Sequence, residues 1–259
     1  MTMHNDRKLK FLLKMWPAHT ALPVAFLKKQ GFSGSLLQSY VSSGWMTPLD
    51  RGVVIRLDDT VDWPGVLWGI QQLISFHVGG KTALELQGKS HYIRFKETDI
   101  FLFSEQNTKL PNWLKKAMKS PRFIHVKTNI FPNGVGLIDY GFGEFHLKIS
   151  NPARAFIEYM FTLKNECIYD EAYHLMENLN SVSPALFQEV LETCQSIKVK
   201  RLTLCLAKKV GVNWIKELDL SKIDLGKGPR EIILGGRFDS EYQITYPRNW
   251  DKEDDEVVF

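Results

Sequence analysis

The chain has 259 residues, 44% hydrophobic and 24% charged, with a net charge of +4, a balance ordinary for a soluble globular protein with a proper core. Its three cysteines, Cys167, Cys194 and Cys205, are too few and too unevenly spaced for a disulfide framework, so a reducing cytoplasm is the expected compartment. No stretch approaches the ~18 uncharged apolar residues that a membrane span needs.

Charge is unevenly distributed. Residues 1–57 carry eight basic side chains against two acidic ones, whereas the last nine residues, DKEDDEVVF, carry five acids and one lysine. A basic front and an acidic tail form the kind of asymmetry that nucleic-acid binders show. The opening MTMHNDRKLKFLLKMWP has a basic start, but Lys14 interrupts its apolar residues and no small-residue cleavage site follows, so it does not read as a signal peptide.

In chain order, Asn5 is expected to cap a first helix running to Trp16, with Leu9, Leu12, Leu13 and Trp16 on one face and Pro17 ending it. Pro23 opens a second helix, PVAFLKKQG, which closes at Gly31. Ser33 caps a third, Gly34 to Ser43, and Gly44 terminates it. On that helix Leu37, Tyr40 and Val41 share one face while Ser35, Gln38, Ser39 and Ser42 share the other. Trp45 to Leu57 reads as a β-hairpin, with its turn near Pro48, Asp50 and Gly52 and VVIRL as its second strand. Three short helices and a hairpin make a complete small domain, a winged helix-turn-helix over residues 1–60.

DDTVDWPGV marks the junction and opens a new helix over Trp68, Ile70, Leu73 and Ile74. KTALELQG reads as a helix, TDIFLF and RFIHVKT as strands with the helix PNWLKKAMKS between them, and GVGLIDYGFGEFHLKIS as a hairpin. From Asn151 the pattern turns helical through NPARAFIEYMFTL, DEAYHLMENL, SPALFQEVLETC and KRLTLCLAKKV, and REIILGGRFDSEYQITY closes as a strand pair. The fold class is therefore α+β: the winged helix-turn-helix, then a larger mixed α/β domain over 61–259. Within it, 61–150 is mixed and 151–259 mainly helical. No internal repeat, low-complexity run or heptad pattern is visible.

Catalytic patterns are weak. HVGGKTALELQG contains Gly-Gly-Lys-Thr, but a phosphate-binding loop needs a glycine where Ser75 stands, and a helical pattern, not a strand, precedes it. GVGLIDYGFGEF misses the dinucleotide pattern because Asp139 holds the last glycine position, so its glycines read as turn residues. Seven histidines are scattered without metal-ligand spacing. Asp139 with Glu144-Phe-His146 resembles a nuclease arrangement, except that a histidine replaces the lysine. No catalytic residue, cofactor or metal ligand is assigned. A metal-dependent nuclease using Asp139 and Glu144 is one rival reading, and a docking module without DNA affinity is another.

A recognition helix needs short polar groups on its exposed face, because bulk would hold the backbone out of the major groove. Ser35, Gln38, Ser39 and Ser42 meet that need, with Ser33 at the helix start. Lys28 and Lys29 precede the helix, and Thr47 and Arg51 lie on the hairpin, where phosphates or the minor groove would be met. These nine are the candidate DNA-binding residues. The basic stretch KVKRLTLCLAKKV, with Lys198, Lys200, Arg201, Lys208 and Lys209, reads either as added backbone contacts or as a solvated helix face.

The block LPVAFLKKQGFSGSLLQSYVSSGWMTPLDRGV followed by WPGVLWGIQ resembles the AbiEi-type antitoxins of type IV toxin–antitoxin and phage-abortive systems. Arg51-Gly52-Val53-Val54 is similar to that family's Arg-Gly-Val-Tyr strand, with valine in the tyrosine's place. HVGGKTALELQGKSHYI, LPNWL and SNPARAFIEYM resemble its later motifs, although Ala153 replaces a glutamate. The likeness runs in order through residues 5–165. It implies a transcriptional repressor that binds inverted repeats of double-stranded DNA in its own promoter. It also implies an antitoxin against a nucleotidyltransferase-like toxin, without a stable complex, in phage defence. The Gly-Gly-Lys-Thr run would then be a structural turn.

Overall fold

The computed structural model describes residues 2–89, 99–163 and 169–251; Cys167, the end of the HVGGKTALELQGKSHYI motif and residues 252–259 of the acidic tail lie outside them. The chain forms two compact units. One comprises Met1–His77, Lys96–Lys127 and Asp139–Lys148; the other comprises Val78–Phe95, Thr128–Ile138 and Ile149–Phe259.

The first unit begins α1 (Thr2–Met15), β1 (Leu22–Pro23), α2 (Val24–Lys29), α3 (Gly34–Ser42), β2 (Met46–Asp50), β3 (Val53–Arg56), α4 (Trp63–Gln71). Since α1 starts at Thr2, Asn5 lies inside the helix and not at its N-terminus, the position expected from its capping chemistry. Nothing in Thr2–His4 breaks a helix, so the backbone continues through it. At six and nine residues, α2 and α3 are too short to persist alone. They are held by one buried cluster: Leu12 and Trp16 of α1, Leu22, Leu27, Phe32, Leu36, Leu37 and Tyr40, with Met46 and Val54 from the hairpin. Burying one such side chain contributes about 1.5–3 kcal/mol.

β2 and β3 pair antiparallel from Met46↔Arg56 to Asp50↔Val53, with a bulge after Pro48. The strands run through Pro48 and Asp50, so the turn is tighter than the sequence suggests and centres on Arg51-Gly52. Gly52 adopts φ +88°, a backbone that a Cβ would strain. The Asp50 carboxylate accepts the Arg51 N–H at 2.6 Å. A third strand, β1, pairs with β3 through Leu22↔Val54 and Pro23↔Val53, giving the order β1-β3-β2. Pro23 is tolerated because β1 is an edge.

After α4 come β4 (His77–Val78), α5 (Gly80–Leu86), β5 (Ile100–Ser104), α6 (Leu114–Ala117), β6 (Phe123–Lys127), β7 (Leu137–Phe142), β8 (Phe145–Ser150). α4 ends at Gln71, before Leu73 and Ile74. In the first unit β5 and β6 pair in parallel from Ile100↔Phe123 to Ser104↔Lys127, joined by a crossover that includes α6. The tip of the β7–β8 hairpin packs there too: Phe142 meets Trp63 edge-on at 5.9 Å and Phe145 meets Trp68 at 6.1 Å.

In the second unit Val78 of β4 pairs in parallel with Ile149 of β8. Four helices follow, α7 (Pro152–Thr162), α8 (Tyr169–Glu177), α9 (Pro184–Thr193) and α10 (Ile197–Val210), then the antiparallel pair β9 (Arg237–Asp239) and β10 (Ile244–Tyr246). α10 is buried from Val199 through Ala207, and neither reading of its basic residues holds. Arg201 turns inward and donates to the carbonyls of Leu225 and Gly228, both at 2.6 Å, and of Gln243 at 3.1 Å. Lys208 pairs with Glu241, and Lys209 with Asp251 and the Tyr246 hydroxyl. Lys200 is buried as well, which leaves Lys198 exposed. Among the described residues no helix is long and apolar enough to cross a membrane.

The seat of α4 makes a sharp stability test. A Cβ on Gly69 would lie 1.8 Å from the Ala21 carbonyl oxygen, and one on Gly65 equally close to that of His19. Gly→Ala inside an exposed helix gains up to about 1 kcal/mol. Gly69→Ala is expected instead to lose about 1–3 kcal/mol or more through overpacking. Gly34→Ala, with open space around its Cβ, is expected to leave stability unchanged or raised. Urea unfolding of both variants checks the sign.

Candidate nucleic-acid interface

Burial decides the orientation of α3. Leu36, Leu37 and Tyr40 enter the core, so Ser35, Gln38, Ser39 and Ser42 face solvent. Ser33 caps the helix, its Oγ accepting the Leu36 N–H at 3.2 Å and lying 3.1 Å from Ser35 Oγ. At the other end Ser43 Oγ donates to the Ser39 carbonyl at 2.7 Å, and Gly44 continues in left-handed backbone. The tight turn from α2 to α3 is pinned by Phe32, whose ring is buried and whose N–H donates to the Leu27 carbonyl at 3.1 Å. That turn follows directly on Lys28 and Lys29, both exposed.

The hairpin is tied to the end of α3 by the Trp45 N–H, which donates to the Tyr40 carbonyl at 2.9 Å. Thr47 on β2 and Arg51 at the tip are exposed. All nine candidate residues therefore lie at the surface of one unit, on consecutive elements. Among the described residues no ion pair engages Lys28, Lys29 or Arg51. Two other cations counted in this segment are used internally: Arg56 donates to the Leu13 carbonyl at 2.9 Å and Lys8 to the Gly31 carbonyl at 3.3 Å. The solvent face of α3 thus offers hydroxyls and one amide without bulk or charge, flanked in sequence by free cations.

The motifs that hinted at catalysis are structural. A short strand, β4, does precede Gly-Gly-Lys-Thr, contrary to the helical pattern read from the sequence. Yet Lys81 pairs with Glu171, and the Gly80 N–H donates at 3.1 Å to the buried carboxylate of Glu158. A protein carboxylate takes the donor that a phosphate would need. Glu158 also accepts from Ser150 Oγ at 2.6 Å and from Arg154 Nε at 2.7 Å. Arg154 is fixed in turn by the Val135 carbonyl and by the Phe131 ring, 4.8 Å away. Gly-Gly-Lys-Thr and Ser-Asn-Pro-Ala-Arg-Ala are two halves of one buried ion-pair cluster.

The nuclease rival fares no better. Asp139 pairs with Lys148 at 2.8 Å, and Glu144 accepts the Ala18 N–H at 3.2 Å. Among the described residues no group of three or more His, Cys, Asp or Glu is placed to hold a metal ion. Burial raises the thiol pKa of Cys194 and pushes that of Cys205 up to about 12, which withdraws both from nucleophilic chemistry.

Exposure and capping separate the α3 residues. Ser33→Ala is expected to lower stability by about 1 kcal/mol through loss of its cap. Gln38→Ala and Arg51→Ala are expected to change it by no more than about 0.5 kcal/mol. Denaturant midpoints of the three variants check this.

The described fold has a solved counterpart in the crystal structure of RV2827C protein from Mycobacterium tuberculosis. That structure matches with a TM-score of 0.52 at 13% identity, over 94% of this chain and 91% of that one. At this identity the likeness concerns the fold alone. No protein of curated function matches the sequence. Residues 5–95 match the family described as transcriptional regulator, AbiEi antitoxin N-terminal domain. Residues 97–247 match the family described as transcriptional regulator, AbiEi antitoxin, type IV TA system. With its exposed polar helix, its basic flanks and these two matches in order, the chain belongs to the AbiEi antitoxin family of transcriptional regulators.

Proposed function

We propose that residues 1–60 are a winged helix-turn-helix that binds inverted repeats of double-stranded DNA in the protein's own promoter and represses its operon. The observation that carries this reading is the solvent face of α3, where Ser35, Gln38, Ser39 and Ser42 stand exposed. An α-helix enters the major groove only when its outward side chains are short enough to let base edges be reached. The order α1-β1-α2-α3-β2-β3 supports the assignment, because it sets a two-strand wing directly after the reading helix. Gln38, at mid-helix, has the amide that pairs bidentately with adenine N6 and N7. Lys28, Lys29 and Arg51 supply phosphate or minor-groove contacts. Residues 61–259 act in antitoxicity toward a nucleotidyltransferase-like toxin, without forming a stable complex with it. Family membership supports that role.

Titration of the full chain on its promoter duplex and on a scrambled duplex tests the DNA reading. If about four phosphates are neutralised, log K against log salt falls with a slope near about −3.6. Gln38→Ala is expected to cost roughly 1–3 kcal/mol on the promoter duplex and little on the scrambled one. Arg51→Ala should weaken both and shallow the slope by about one unit if it meets a phosphate. A flat salt response, or an unchanged preference in Gln38→Ala, would contradict the assignment. For the second role, growth of cells carrying the neighbouring toxin gene should be restored by this chain.

A further inference from the structure

The crossover between β5 and β6 carries a charge pattern that the α3 face does not use. From Gln106 through Ile138 the sequence contains no acidic residue, and within that span lie Lys109, Lys115, Lys116, Lys119, Arg122 and Lys127. Arg122 is neutralised by Asp99, whose carboxyl its guanidinium hydrogen bond holds below the usual carboxylate range. The five lysines are exposed, and among the described residues no ion pair engages them. α6 is only four residues long, and its buried Leu114 anchors it so that Lys115 and Lys116 face solvent. α6 packs against β2, the first strand of the hairpin, in the same compact unit. A recess of about 350 Å³ opens beside it, with Lys109, Lys115 and Lys127 on its lining together with Asn112 and His125. His125 is hydrogen-bonded to Ser104 at 2.7 Å, and burial, then the charge of Lys127, lowers its pKa, so the lysines carry the positive charge there.

We propose that this lysine-bearing crossover is a second phosphate-contacting surface, which grips the nucleic-acid backbone beside the hairpin while α3 reads bases. The proposal rests on the DNA-binding reading above. Five unpaired ammonium groups on an irregular segment, with no carboxylate among them, suit a polyanion that meets several at once better than a small ligand. Lysine acts on phosphate as a hydrated point charge and needs no fixed geometry, so the exposed, flexible stems are an adequate device. Nothing in the recess distinguishes one base from another, so the surface adds affinity without sequence preference.

The test uses the full chain carrying Lys109→Gln, Lys115→Gln and Lys127→Gln together, titrated over a salt series on promoter and scrambled duplexes. The side chains are exposed, and an unchanged circular-dichroism melt verifies folding; Lys115→Glu with Lys116→Glu gives a second, charge-reversed variant. The expected result is a salt slope shallower by about 2.7 if three phosphate contacts vanish, with affinity falling on both duplexes by the same factor. The charge-reversed pair is expected to weaken both duplexes as well. A wild-type slope in the triple variant overturns the proposal while leaving the reading helix intact. Loss of antitoxicity with unchanged DNA binding also overturns it, by making this a protein-contacting face. If the wild-type chain shows no salt-dependent DNA binding, the parent reading falls, and this proposal with it.

Discussion

One-sided burial of α3 is the constraint on which the rest of the first unit depends. A nine-residue helix holds its shape only by tertiary packing, and Leu36, Leu37 and Tyr40 supply that packing against α1 and the hairpin. Once those three point inward, the remaining face is fixed outward and its composition is free of folding demands. It is filled with serines and one glutamine, a choice that stability does not explain: serine is a mediocre helix former, and leucine or lysine would serve a purely solvated face better. The Trp45 N–H bonded to Tyr40 then sets where the hairpin begins, so the helix face and the Arg51 tip are consequences of one core.

The second unit treats its charges in the opposite way. Arg154, Lys200 and Arg201 are buried, and the first and last of them are satisfied by Glu158 and by backbone carbonyls. Removing one partner from such a buried set typically costs about 3–5 kcal/mol, so these residues constrain packing and are not available to a polyanion. Formal charge counted along the sequence therefore overstates the basic surface of this half. It describes the first unit better, where Lys28, Lys29, Arg51 and the crossover lysines remain at the surface.

Local signals were legible in the sequence. Ser33 as cap, the α3 faces, the hairpin, the crossover between two strands and the four late helices all follow from periodicity and turn chemistry within a dozen residues. β1 and β4 are two residues long, too short for alternation to register, and they exist only because distant strands pair with them. The inward turn of Arg201 depends on carbonyls 24 to 42 residues away, which no helical wheel contains. Likewise the Gly-Gly-Lys-Thr run was recognisable as structural, but the carboxylate that occupies it, Glu158, lies 78 residues from Gly80. For the candidate interface, composition pointed to the residues. Which cations stay free became visible only with Arg56 tied to Leu13 and Arg122 tied to Asp99.

The central claim, that α3 is the element that touches DNA bases, is tested most directly by site-specific photo-crosslinking. A photoreactive residue is placed at Gln38 or at Glu217, both exposed but in different units, and each full-length protein is irradiated with the promoter duplex. Position 38 should crosslink to bases inside an inverted repeat, in competition with unlabelled promoter DNA, while position 217 should not crosslink. Crosslinking from position 217 with none from position 38 would contradict the account.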